Sequence, residues 1–307
     1  MSKKVLMAVV LVLLAAAWLS YPKVGTLMYR SAMALESTIY GLDKERVDIG
    51  EMELSVYQGG PEDAPVIMML HGYSSDKDVW LRFASHLVDD YRILIVDMAG
   101  HGETGFKPEW DYSIAAQSQR LNALLDTLEI PQVHIIGNSM GGWIAADFSL
   151  RYPDRIMSTA LVDPAGVNSP EPSDMEKMLA EGRNPFEQSS REEFYEFYSM
   201  TMASPPWLPR PVLDHMAQDY INSREELAKI FADFHDNPRL EPRLSEFDKP
   251  VLLLWGREDQ LLHVRSVETW QAGIDHLQVT VWDGVGHMPM IEIPEKSAKR
   301  YRQFLTQ

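Results

Sequence analysis

The sequence predicts an α/β fold: from residue 45 onward short β-rich runs alternate with amphipathic helical stretches. Several of these runs are apolar throughout, as strands buried on both faces of a parallel sheet are. A third observation completes the prediction. The stretch from Pro164 to Pro250 contains no sheet-like run and reads as an inserted helical cap.

Strands are expected, in order, at Arg46 to Ile49, Met52 to Tyr57, Val66 to Leu70, Ile93 to Asp97, Val133 to Ile136, Thr159 to Asp163, Val251 to Trp255 and Gln278 to Trp282. Helices are expected at Val79 to Val88, Ile114 to Leu128, Gly141 to Tyr152 and Pro294 to Leu305, where apolar residues recur with a 3.6-residue period. Ile114, Leu121, Leu124, Leu125 and Leu128, for example, fall on one face. In the cap, Met175, Met178 and Leu179 share one helix face, and Phe194, Phe197 and Tyr198 another, before a proline-rich loop that carries Trp207. The chain therefore divides into an N-terminal membrane segment (1–22), a linker (23–44), a first core part (45–163), the cap (164–250) and a second core part (251–307).

Composition narrows the function. A chain of 307 residues that is 45% hydrophobic can bury a large core. Its 28 Lys and Arg against 45 Asp and Glu give a formal charge of -17, which repels phosphate backbones and excludes nucleic acid as a partner. With no cysteine, disulfides, thiolate metal sites and thiol catalysis are ruled out.

Lys3 and Lys4 precede an unbroken apolar run from Val5 to Leu19, and no charge follows until Lys23. Such a stretch targets a membrane. Trp18 and Leu19 stand where a cleavage region is ordinarily more polar, so a retained single anchor is expected, with Trp18 and Tyr21 at the interface. The alternative is a cleaved signal peptide with Ala15 and Ala17 before the cut, leaving a secreted or periplasmic domain.

The chemistry is carried by Gly137-Asn138-Ser139-Met140-Gly141-Gly142, which follows an apolar strand and opens a helix. That context suits a nucleophile elbow, where the serine occupies a tight turn and flanking glycines admit the crossing backbone. A serine needs a base and an orienting carboxylate, in the order Ser, acid, His. Asp259 lies just past the strand Val251 to Trp255, and His287 just past Gln278 to Trp282. Loops at the carboxyl ends of parallel strands are where such sheets place functional groups. Glu258, beside Asp259, is the rival acid. Oxyanion donors are expected from the backbone N–H groups of Met140, at a helix N-terminus, and Tyr73, in the loop after Val66 to Leu70. His71 is expected to shape that loop rather than transfer protons, and Asp97 to Gly102 to stabilise neighbouring loops. Met175, Met178, Phe194, Phe197, Tyr198 and Trp207 are candidates for acyl-chain contact; the alternative is that they pack the cap's own core. No His-Glu-x-x-His spacing or Gly-x-Gly-x-x-Gly fingerprint occurs, and no metal or cofactor is expected.

Through His71-Gly72, Asp97 to Gly102, the Ser139 elbow, Asp259 and His287, the chain resembles the α/β-hydrolase superfamily. His71-Gly72-Tyr73-Ser74 with Lys77-Asp78-Val79-Trp80, Asp163-Pro164-Ala165-Gly166, Trp255 to Gln260 and Gly286-His287 is similar to membrane-anchored monoacylglycerol lipases of the α/β-hydrolase-domain-containing 6 type. The resemblance implies a mostly parallel eight-stranded sheet flanked by helices, a helical cap over the site, and hydrolysis of monoacylglycerol or related lipid esters. Tyr73 and Met288 to Met290 depart from that group. A serine at position 139 argues against the related haloalkane dehalogenases and epoxide hydrolases, which carry Asp there. Two other readings stand beside ester hydrolysis: a carbon–carbon bond hydrolase of ring-cleavage products, and a catalytically silent, membrane-tethered binding module.

Overall fold

The computed structural model describes Tyr21 and residues 23–306. The apolar run from Val5 to Leu19 lies outside the described residues. Among those that are described, no helix is long and apolar enough to cross a membrane.

The described residues form an eight-stranded sheet. Its strands are β1 (Leu42–Asp48), β2 (Glu53–Gly59), β3 (Val66–Leu70), β4 (Arg92–Val96), β5 (Val133–Asn138), β6 (Ile156–Val162), β7 (Val251–Gly256) and β8 (Gln278–Trp282). Their order across the sheet is β1-β2-β4-β3-β5-β6-β7-β8. β2 runs antiparallel to both neighbours and the remaining pairs are parallel. Each expected strand forms. β1 begins earlier than its apolar pattern suggests, because Leu42 is buried and the hairpin ladder runs out to Leu42 opposite Gly59.

Alternation along the central strands feeds two cores. Met68 and Leu70 of β3 join one, with Leu121 and Leu124 of helix α3 (Ile114–Thr127) and Trp143 and Ile144 of α4 (Met140–Arg151). Ile67 and Met69 point the other way, towards Trp80, Leu81 and Phe83 and towards Tyr301 and Phe304 of the C-terminal helix Pro294–Leu305. With helices on both faces, the central strands β3 to β7 are buried as their composition requires.

Two expectations are corrected. The helix expected over Val79 to Val88 is a 3-10 turn, Lys77–Trp80, followed by one turn of α-helix, α2 (Leu81–Ala84). The Ser85 hydroxyl donates to the Arg82 carbonyl (2.7 Å), competing with a continuing helical ladder. Residues 23–44, expected as a linker, hold a helix over residues 23–39, α1, and the first residues of β1. Its inner face repeats every three or four residues through Gly25, Tyr29, Met33, Glu36 and Ser37, a pattern too polar to stand out.

Between β6 and β7 lie four described helices, α5 (Asp174–Ala180), α6 (Arg191–Thr201), α7 (Arg210–Asn222) and α8 (Arg224–His235). α5 starts on a capping box, with Ser173 and Glu176 each satisfying the other's backbone N–H, and Ser190 caps α6. The second core part adds α9 (Ser266–Gly273), α10 (Pro289–Glu292) and α11 (Pro294–Leu305).

Candidate active site

Ser139 sits between β5 and α4 with φ 57° and ψ −120°, a backbone conformation that L-residues rarely adopt. Three hydrogen bonds impose it: Ser139 N–H donates to Val162 O (3.0 Å), and its carbonyl accepts from Trp143 (3.1 Å) and Ala165 (3.0 Å). The flanking glycines are obligatory. A Cβ at Gly137 would stand 2.1 Å from the Gly141 carbonyl oxygen, and one at Gly141 2.4 Å from that of His71.

His287, after β8, is buried, and its Nδ1–H donates to Asp259 Oδ2 at 2.7 Å. Asp259 Oδ1 accepts from the N–H groups of Leu261 (2.8 Å) and Leu262 (3.0 Å), which fixes the carboxylate plane. Glu258, its neighbour in sequence, turns instead to the Val285 N–H (3.1 Å). The His287 backbone is tied from two sides: its N–H donates to Thr201 O at the end of α6 (3.1 Å), and its carbonyl accepts from Asn138 Nδ2 (3.0 Å). Asn138 immediately precedes the serine, so the elbow and the imidazole loop are joined directly.

The loop after β3 approaches the elbow closely; a Cβ on Gly72 would lie 3.1 Å from that of Ser139. His71 holds this loop. Its Nε2 accepts from the Met98 N–H (3.0 Å) and its Nδ1 faces Gly72 O (2.7 Å). Burial lowers its pKa to about 4, so at neutral pH it is an uncharged scaffold with its proton on Nδ1. Asp97 likewise serves the loops: it pairs with buried Lys77 (2.6 Å) and accepts from the Lys77 and Glu103 N–H groups. Among the described residues no acceptor is paired with the N–H of Tyr73 or Met140. Met140 opens α4, where first-turn donors are free by construction.

A cavity of about 490 Å³ contains Gly72, Tyr73, Ser139 and His287 in its lining, within the size range of small-molecule sites. Of the cap residues singled out in the sequence, Phe194, Phe197 and Tyr198 line it, and Met175, Met178 and Trp207 do not. Met175 is buried in the core, Met178 packs against it, and Trp207 is 85% exposed. Phe186, Met202, Leu208 and Tyr220 complete the apolar wall. Tyr29, Met33 and Glu36 of α1 also reach the lining. The helix is held there by Tyr29 to Asp78 (3.1 Å), the Arg82–Glu36 pair (2.7 Å) and Tyr21 to Asp214 on α7 (2.9 Å). Sequence reasoning missed this helix. The spacing of Tyr29, Met33 and Glu36 was the available signal.

A family model for the alpha/beta hydrolase fold matches residues 65–294. The chain belongs to the α/β-hydrolase family. Over 303 residues this α/β-hydrolase is 32% identical to Lipase 1 of Psychrobacter immobilis, covering 94% of this chain and 95% of that protein. It is 30% identical over 261 residues to monoacylglycerol lipase ABHD6 of Mus musculus, covering 81% and 78% respectively. Among solved structures, that of a membrane phospholipase A, described as a bacterial virulence factor, superposes with a TM-score of 0.90 at 32% identity, covering 99% and 98% of the two chains.

Proposed function

We propose that this α/β-hydrolase is a serine hydrolase that cleaves the carboxylic ester of monoacylglycerols or similar lipids, with residues 1–22 attaching it to a membrane. In this mechanism Ser139 Oγ attacks the ester carbonyl while His287 Nε2 takes its proton. Asp259 keeps the other imidazole proton on Nδ1 and balances the charge that develops on the ring. The N–H groups of Tyr73 and Met140 stabilise the oxyanion. His287 then protonates the departing alcohol, and water, activated by the same imidazole, releases the acid from Ser139.

One observation carries the reading: a single apolar-walled cavity holds Ser139 on its strained turn and a His287 already bonded to Asp259 at 2.7 Å. The aromatic cap residues suit an acyl chain, and the relatives named as lipases support lipid esters as the substrate class. Attachment through residues 1–22 is supported by their unbroken apolar run and by the name of the structural relative.

A fluorophosphonate probe and a panel of acylglycerols, p-nitrophenyl esters and a ring-cleavage dienoate test it. Ser139→Ala should remain folded, lose labelling, and lose ester turnover by about a thousandfold or more. Labelling that persists in the variant, or preferential turnover of the dienoate, would overturn the assignment. Removing residues 1–20, which spares Tyr21 and its bond to Asp214, should release the protein from membranes and leave turnover of a small soluble ester unchanged; truncated protein that still sediments with membranes would refute the attachment.

A further inference from the structure

Asp163 stands one residue past β6, between the strand that leads to Ser139 and the strand that leads to Asp259. Its side chain is fully buried and its backbone holds φ 43°, a left-handed conformation that Asp and Asn tolerate better than most residues. The backbone N–H donates to Leu254 O (2.9 Å), and Oδ1 accepts from the Gly256 N–H (2.8 Å). Oδ2 is left without a hydrogen-bond partner among the described residues. Yet a carboxylate oxygen of Asp163, one of Asp259 and a ring nitrogen of His287 all lie within 4.8 Å of one another.

Two ionised carboxylates cannot share such a space comfortably. Asp259 already spends Oδ1 on the Leu261 and Leu262 N–H groups and Oδ2 on His287. The other charge bearing on Asp163, Glu292 of α10, is also negative. Burial first, and the Asp259 charge second, push the Asp163 carboxyl well above the usual carboxylate range, against the opposing pull of the Gly256 N–H. A proton resolves both problems at once. It removes the repulsion and turns the orphan oxygen into a donor facing an acceptor.

We propose that Asp163 is a positioning residue for the acid of the triad: a neutral carboxyl whose Oδ2–H donates to the Asp259 carboxylate and fixes it against His287. The donor also draws charge from Asp259, so that Asp259 orients the imidazole without competing for its Nδ1 proton. The inference rests on the reading of Asp259 as the partner of His287.

Asp163→Asn, Asp163→Ala and Asp259→Asn in the full chain test it, through kcat/KM for a p-nitrophenyl ester as a function of pH and through the infrared difference spectrum of wild type against Asp163→Asn. The amide in Asp163→Asn keeps a donor for Asp259 and an acceptor for Gly256. Its kcat should stay within about threefold of wild type and the acid limb of its profile should not move. The spectrum at neutral pH should show a protonated-carboxyl band in wild type that the Asn variant lacks. Asp163→Ala removes the donor, so kcat should fall by on the order of tenfold or more, and the acid limb should shift to higher pH as Asp259 becomes the stronger partner for His287. An acid limb that moves to lower pH in Asp163→Asn would mean that Asp163 is ionised and overturn the proposal. So would the absence of the carboxyl band, or an Asp163→Ala profile whose acid limb stays in place. If the Ala variant fails to fold, the Asn profile and the infrared band still decide. Asp259→Asn separates the two readings: near-wild-type turnover there would overturn the triad itself, and the role of Asp163 with it, whereas heavy loss there with a displaced limb in Asp163→Asn would overturn only the latter.

Discussion

Replacing Ser139 by glycine should stabilise the protein although it removes the proposed nucleophile. Ser139 holds φ 57° and ψ −120°, imposed by hydrogen bonds to Val162, Trp143 and Ala165 that do not involve its side chain. A residue with a Cβ in such a region carries about 1–3 kcal/mol of strain. Glycine relieves that strain and gives back about 0.5–1 kcal/mol through the greater freedom of its unfolded chain. The expected gain lies between about 0 and 2.5 kcal/mol, centred near 1 kcal/mol. Ser139→Ala keeps the Cβ and the strain and loses only a half-buried hydroxyl, so it should fall within about 0.5 kcal/mol of wild type. Urea unfolding of the three proteins, followed by tryptophan fluorescence, measures the differences, and both variants should be inactive towards p-nitrophenyl butyrate. A glycine variant no more stable than the alanine variant would refute the reasoning, because it would mean that the elbow stores no strain.

Acidification supplies a second test. Burial lowers the pKa of His71 to about 4 and of His101 to about 3, from a free value of 6.5, so the unfolded chain takes up these protons first. Their contribution is therefore intact above about pH 6.5 and is lost as pH falls towards 4, at about 1.4 kcal/mol per pH unit for each ring. His101→Gln should flatten the slope of unfolding free energy over that window by about one ring's share, and an unchanged slope would count against burial as the cause. In the cap, Tyr198 lines the cavity and stacks on Phe194 at 5.9 Å. Tyr198→Gln should lower kcat/KM on long-chain monoacylglycerols by about fivefold more than on p-nitrophenyl acetate, the equivalent of roughly one methylene's transfer energy. Equal losses on the two substrates would assign Tyr198 to the cap's own packing.

The strands were legible because their burial is written in their composition. Every residue of β3 is buried, and Val66 to Leu70 contains no polar residue to obscure it. The elbow was legible for a steric reason, since only glycine fits at 137 and 141, and that requirement appears in the sequence as a spacing. Choosing between Glu258 and Asp259 was harder. Adjacent acids look alike until the loop folds and two consecutive N–H groups, Leu261 and Leu262, select one of them. The cap divides in the same way: an apolar stripe predicts that a face is covered but not what covers it. Phe194, Phe197 and Tyr198 face the cavity, Met175 joins the core, and Trp207 stays in solvent. α1 was missed because its inner face includes Gly25, Glu36 and Ser37, whose value lies in close approach and hydrogen bonding rather than in hydrophobicity.

Positions along the chain place Ser139, Asp259 and His287 at the ends of β5, β7 and β8, but strand ends alone do not set the distances between them. β6 separates β5 from β7 in the sheet, and β8 lies further out. The gap is closed by buried polar contacts between the loops themselves. Asn138 Nδ2 reaches across to the carbonyls of Val162 and His287, the Thr201 carbonyl of the cap takes the His287 N–H, and Asp163 holds the Gly256 N–H at the root of the Asp259 loop. Each contact satisfies a group that would be costly to bury alone, so loosening one loop exposes or orphans a polar atom in the next. The strain at Ser139 persists for the same reason: relaxing its φ would require breaking its bonds to Val162 and Ala165, which anchor the very loop that carries Asp163.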